Sequence, residues 1–177
     1  MVIPREPAHP KDVPEEYVMQ PFDVKLSYLG KPWCTVPLEV GFNEIGDADE
    51  ADWIEPDDVS GIFDSVGLPA PGPAPLMMPA YQVAQKLHAV TGGDRPRDLV
   101  DLQVMMANGD IDLVFTRSVC VRLFAYRKRQ EWPPKLVKRE GWDEAYAMDS
   151  EGLSVLASAD DAVAWANDLI ARIDASK

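Results

Sequence analysis

Apolar and polar residues alternate strictly along Pro21–Leu29: Phe22, Val24, Leu26 and Tyr28 share one face, and Asp23, Lys25 and Ser27 the other. A period of two is the signature of a half-buried strand. Thr35–Phe42 repeats it, with Val36, Leu38, Val40 and Phe42 inward. Gly30-Lys31-Pro32 makes the turn between them, and so short a connection predicts an antiparallel hairpin. Pro37 has no N–H for a ladder, so it prefers an edge position or the strand start. Before the hairpin, Pro4, Pro7, Pro10 and Pro14 deny a helix and predict an extended arm or a strand connection. After it, residues 44–60 show no period and read as an acidic loop, with a helical turn near 51–54. Residues 61–68 read as a short strand, and the proline-rich 69–75 as a stiff connector.

From Pro79 the apolar period lengthens to that of a helix. Ala80, Val83, Ala84, Leu87, Val90 and Thr91 form one stripe, with Lys86 and His88 at its two edges. Gly92-Gly93 ends this helix. Asp94 suits an N-cap for the next and Pro96 its first turn. Leu99, Leu102 and Met106 line that helix's core side. Asp98 falls in its first turn, where the helix dipole favours a carboxylate. Arg97 and Asp101 are four apart and predict a surface pair. A third helix covers 113–129, capped by Asp112, with Val114, Cys120 or Val121, Phe124 and Ala125 inward. Trp142–Met148 predicts a short helix packing two aromatics. Ser158-x-x-Asp161 opens a last helix whose stripe is Ala162, Ala166, Leu169, Ile170 and Ile173. The fold class expected is α+β: a small antiparallel or mixed sheet region over 1–78, followed by a helical half over 79–177.

At 177 residues the chain is long enough to bury a core without staples. Two cysteines far apart, Cys34 and Cys120, argue against a disulfide framework and fit a reducing cytoplasm. Cys120, inside a helix, reads as packing. No apolar run approaches the roughly 18 residues a membrane span needs, so no membrane partner is expected. The net charge of −13 argues against nonspecific binding to polyanions. Its distribution changes that picture. Nine acids and no base fall in 44–64, whereas seven bases and one acid, Glu131, fall in 122–139. That basic segment is a solvated face in the bland case and an RNA contact in the sharper one.

Candidate chemistry concentrates between Pro79 and Leu102. Lys86, Arg95, Arg97, Asp98 and Asp101 surround one tight helix turn, and each taken alone has an ordinary structural role. Glu39 lies on the strand face opposite Leu38 and Val40; it is a surface carboxylate there, or a metal ligand if that face lines a cleft. His9 and His88 are the only histidines, which excludes a histidine-rich metal site. No Ser-His-Asp, nucleophile-elbow or P-loop signature is present. Asp110-x-Asp112 has the local form of a metal-binding carboxylate pair, but Asp112 reads as a helix cap.

The order strand–Glu39–strand, then AYQVAQKLHAV, then RPRDLVDL resembles the nucleotidyltransferase family of AbiEii/AbiGii toxins. The matching residues are Ala84, Lys86, Leu87 and Ala89, then Arg97, Asp98, Leu99, Asp101 and Leu102. The resemblance implies part of a polymerase-β-like nucleotidyltransferase core with a helical C-terminal half. It implies a bacterial toxin–antitoxin or phage-defence protein, with NTP as substrate, tRNA as acceptor, Mg²⁺ as cofactor and a cognate antitoxin as partner. Lys86 would then contact the NTP phosphates together with Arg95 and Arg97. Asp98 or Asp101 would assist the acceptor or hold the lysine, and Glu39 would take the third metal-carboxylate position. The family's upstream motifs, a Gly-rich turn and an Asp-x-Asp on a strand, are not in residues 1–38; Asp12 and Asp23 stand singly, and Asp110 and Asp112 come in the wrong order. The expectation is therefore the C-terminal part of such an enzyme, weak or inactive as this chain. The alternative is a non-catalytic interaction module that pairs through an open sheet edge, including with a second copy.

Overall fold

A computed structural model of the chain describes residues 1–8, 18–47, 49 and 51–177. His9, Pro10, Asp12, Pro14 and Glu50 lie outside these residues. The chain divides into two compact units, Met1–Glu44 and Ile45–Lys177. Together they are α+β: small antiparallel sheets and a mainly helical C-terminal half.

The first unit is a three-stranded antiparallel sheet in the order β1 (Val2–Pro4), β2 (Gln20–Tyr28), β3 (Lys31–Val40). The expected hairpin is β2–β3. Its turn is Leu29-Gly30, both at positive φ (48° and 74°), with Lys31 and Pro32 already in the strand. Two such residues form the primed turn whose twist matches the strands, and a leucine there is strained. Cross-strand partners are Phe22–Leu38, Val24–Val36 and Leu26–Cys34, and β1 adds Val2 opposite Val24 and Pro4 opposite Phe22. Directly opposed residues share a face, so one side of the sheet is continuously apolar. Its cover is incomplete: Phe22 and Val24 of β2 are partly buried, but all of β3 is exposed, Val36, Leu38 and Val40 included. A sheet buries a face only against a second layer, and no helix or second sheet belongs to the described residues of this unit. Pro37 occupies an edge strand, as expected.

In the second unit, β4 (Ala51–Ile54) pairs antiparallel with β5 (Ala74–Met77), and α1 (Asp57–Ser65) lies between them. Both assignments differ from the sequence expectation of a helical turn at 51–54 and a strand at 61–68. Asp57 and Asp58 suit the first turn of α1 through the dipole. Val59, Ile62, Phe63 and Val66 recur at helical spacing along it and its C-cap, although no residue of α1 is buried.

Five helices then follow: α2 (Pro79–Gly92), α3 (Arg97–Asn108), α4 (Leu113–Arg127), α5 (Trp142–Asp149) and α6 (Ala159–Ala175). α2 packs on α3 and α4, and α6 on α3, α4 and α5. Val83, Ala84, Leu87 and Val90 of α2 are buried with Leu99 and Leu102 of α3 and with Ala166, Leu169, Ile170 and Ile173 of α6. Trp142 and Tyr146 are the two buried aromatics of α5. α4 faces the core through Thr116, Val119, Cys120, Leu123 and Phe124; of the pair Cys120 or Val121 it is Cys120 that is inside, whereas Val114 and Ala125, expected inside, are exposed. Asp112 Oδ1 caps α4, accepting from Val114 N (2.8 Å) and Phe115 N (3.0 Å). Ser158 Oγ likewise caps α6 at Asp161 N (3.1 Å). Asp94 is not the cap of α3, whose N-cap position is Pro96, with no side-chain cap. Its carboxylate accepts instead from Trp142 Nε1, 48 residues away.

Candidate functional site

α2 ends where Gly93 N donates to Ala89 O (2.8 Å). A Cβ on Gly93 would stand 2.9 Å from that carbonyl, so only glycine closes the helix this tightly. The chain reverses through Asp94, Arg95 and Pro96, and α3 packs against α2. Asp98 and Asp101, three apart, occupy one face of α3. That face meets Lys86.

Lys86 Nζ lies 2.6 Å from Asp101 Oδ2 and 3.3 Å from Asp98 Oδ1. Arg95 Nε lies 3.0 Å from Asp98 Oδ2. That oxygen still lacks a properly directed hydrogen bond, so the Arg95 contact is Coulombic, with the N–H aimed elsewhere. The Asp98 side chain is 3% exposed, against 25% for Lys86 and 33% for Asp101. A buried carboxylate needs charge and hydrogen bonds to offset lost solvation; Asp98 receives charge from both Lys86 and Arg95 and a side-chain hydrogen bond from Lys86 alone. An ammonium has three donors. Asp98 and Asp101 take two, and the third is left at the partly exposed end of the side chain.

The structure thus brings together Lys86, Arg95, Asp98 and Asp101. Arg97 is exposed, and the expected Arg97–Asp101 pair does not form; Asp101 faces α2 and is taken by the lysine. Glu39 belongs to the other unit, on β3 opposite Pro21. Asp23, two positions along on the same face, is engaged by Arg5 at 3.1 Å. No group of three or more potential ligands stands together among the described residues. A divalent cation prefers several oxygen ligands, and this donor set does not fit one.

His88 points to the other side of α2, toward α4. It is buried, and its ring meets Phe124 edge-on with centroids 4.9 Å apart. Arg127 Nη1 lies 3.3 Å from His88 Nδ1. A guanidinium only donates, so Nδ1 accepts and the proton sits on Nε2, which has no partner. Burial, then the charges of Arg127 and Arg129, push the imidazole down to about 4. The stripe predicted His88 at an edge; packing of α4 closes over it. Cys120 is buried and its thiol is pushed up to about 12 by burial, which leaves it unreactive.

Trp142 is a residue that local pattern gave no reason to connect with this turn. Its indole holds Asp94 beside Arg95, and its burial ties α5 to the α2–α3 joint. Only a tertiary contact carries that signal. No helix among the described residues is long and apolar enough to cross a membrane.

No curated relative matches the chain. The sequence model of one family, described as nucleotidyl transferase AbiEii toxin, type IV toxin–antitoxin system, matches residues 4–169. Since that span is nearly the whole chain, and the Lys86–Asp98–Asp101 cluster lies within it, the chain belongs to the AbiEii nucleotidyl transferase toxin family.

Proposed function

We propose that this chain is a nucleotidyltransferase-like toxin component that holds NTP phosphates at the α2–α3 turn and transfers NMP to an acceptor such as tRNA weakly or not at all. The observation that carries this reading is the Lys86 ammonium, fixed by Asp98 and Asp101 with one donor spare. A cation held in place by carboxylates, with the Arg95 and Arg97 guanidinium groups on the same turn, suits a polyphosphate. Asp98 and Asp101 position the lysine, and Asp101, the more exposed, is the one able to meet an acceptor. The family generally uses NTP and a divalent metal. Glu39 would offer Mg²⁺ a single carboxylate, and the donor set around it is the ground for expecting weak transfer. A type IV toxin family implies a cognate antitoxin as partner. The cytoplasm and a role in phage defence belong to the same proposal. The test is incubation of the chain with each radiolabelled NTP, Mg²⁺ and bulk tRNA. Incorporation near the blank, together with NTP binding that Lys86→Ala weakens, is expected. Efficient incorporation overturns the claim of weak transfer, and NTP binding indifferent to Lys86→Ala overturns the site.

A second reading has its own observation. β3 is an exposed edge strand, and one face of its sheet is apolar and incompletely covered. Unpaired edges and large apolar faces favour association. On this reading the chain is an interaction module that pairs with a second copy. Light scattering across a concentration series decides it: a strict monomer removes this reading and leaves the first untouched.

A further inference from the structure

The last turn of α4 and the segment after it line an open cleft of about 600 Å³, within the range of about 300–1,000 Å³ usual for small-molecule sites. Its apolar wall is built from Val121, Phe124, Ala125 and Trp132. Val121 and Ala125 are exposed apolar residues on the outer side of α4, where an amphipathic helix is ordinarily polar. The core gives them no role; the cleft does. Phe124 and Trp132 meet edge-to-face, with centroids 5.3 Å apart. Trp132 Nε1 is fixed by Asp174 Oδ1 at 2.9 Å, so the aromatic wall is held in place.

The rim has the opposite character. Lys128 and Arg129 line it, and neither takes part in an ion pair among the described residues. Lys128 is the C-cap of α4 at φ 53°. The helix dipole favours cations at this end, but it does not ask for an aromatic wall beneath them. Glu131, also on the rim, supplies an acceptor. Phe124 is 1% exposed and only backs the cleft; the partly exposed Trp132 beside unpaired cations suits a ligand with a flat base and a phosphate. The carboxylate suits ribose hydroxyls or an exocyclic amine.

We propose that this cleft binds a nucleoside phosphate, presented either as a free nucleotide or as the unpaired end of an RNA strand. The site is separate from the Lys86 cluster. Lys86 and His88 are two residues apart on α2, which places them about 200° apart around the helix, and it is His88 that backs Phe124. The proposal therefore does not depend on the reading of Lys86.

The test titrates the ¹⁵N-labelled full chain with AMP, with a five-residue oligoadenylate and with inorganic phosphate at low salt. Amide shifts confined to residues 121–132 are expected, with inorganic phosphate binding far more weakly than the nucleotide. Lys128→Asn/Arg129→Gln, exposed changes that keep the left-handed cap acceptable, should weaken binding about tenfold or more with the melting temperature unchanged. Should that variant melt lower, Ala125→Glu, an exposed helical change, puts a carboxylate on the cleft wall and should weaken binding severalfold. Saturation by AMP identifies a free nucleotide, and saturation by the oligomer alone identifies a strand end. The proposal is overturned if no probe saturates, if phosphate binds as well as AMP, if the shifts fall at the α2–α3 turn, or if the rim substitutions leave affinity unchanged.

Discussion

Lys86 Nζ sits 2.6 Å from Asp101 Oδ2, fifteen residues downstream on the next helix, although Arg97 lies only four residues from that aspartate. Tertiary geometry defeats the local pair because α3 turns its Asp98–Asp101 face toward α2. An i,i+4 surface pair is worth a few tenths of a kcal/mol, too little to hold Asp101 against an ammonium beside a buried carboxylate.

The two aspartates should therefore separate by burial. Asp98→Asn removes the charge that Lys86 and Arg95 converge on, and should cost about 2 kcal/mol in urea unfolding. Asp101→Asn, with a third of its side chain exposed, should cost about 1 kcal/mol or less. Equal losses for the two would show that Asp98 is not the residue that organises the joint.

His88 makes stability fall with acid. Its folded value, about 4, lies below the ordinary 6.5. Between these values the unfolded chain binds the proton and the folded chain does not, so stability rises with pH across this window. The contribution is complete above pH 6.5 and is lost as pH falls toward 4. A protonated ring would also face the Arg127 guanidinium. Unfolding free energies of His88→Gln and the parent, compared from pH 7 to pH 4, should converge as acid is added. Parallel curves would sink the assignment.

The two thiols should differ in reactivity. Cys34 is exposed on β3, and Cys120 is buried with its thiol pushed up to about 12. A thiol reagent at pH 8 should label one cysteine of the folded chain and both after denaturation. Prompt labelling of Cys120 in the folded state would mean that α4 opens locally.

Asp112 is a cap rather than a metal ligand. Asp112→Ala should destabilise by about 1 kcal/mol, whereas Asp112→Asn, which keeps an acceptor, should change little. Neither should alter NTP binding. A loss of NTP binding with stability intact would return the Asp110-x-Asp112 pair to the candidate site.

The helices were legible where they bury a stripe. α2, α3 and α6 carry theirs openly, and Asp112 and Ser158 mark starts by local chemistry. α1 was legible in the helical spacing of Val59, Ile62, Phe63 and Val66, but the reading of 61–68 as a strand cut across that stripe. β4 and β5 were missed because their pairing spans an intervening helix. Along α4 the inner and outer faces are both apolar in part, since Val121 and Ala125 line a cleft, and the pattern could not say which side was core. The hairpin register was legible from alternation; the exposure of its apolar face was not, because alternation states which side wants cover and never whether cover is present. Of the candidate site, the residue types clustered visibly around Gly92-Gly93, but their pairing depended on how tightly that turn closes.

Gly93 thereby turns proximity into a count. With α2 closed on Gly93 and α3 starting at Arg97, the lysine and the two aspartates meet only at separations of twelve and fifteen residues. One residue inserted within α2 after Lys86 would turn the joint by about 100° relative to the lysine and carry both carboxylates off it. The geometry is thus a ruler written in the sequence: a lysine, a glycine seven residues on, and aspartates at the twelfth and fifteenth. A chain that keeps these four marks on two packed helices keeps the spacing this joint requires.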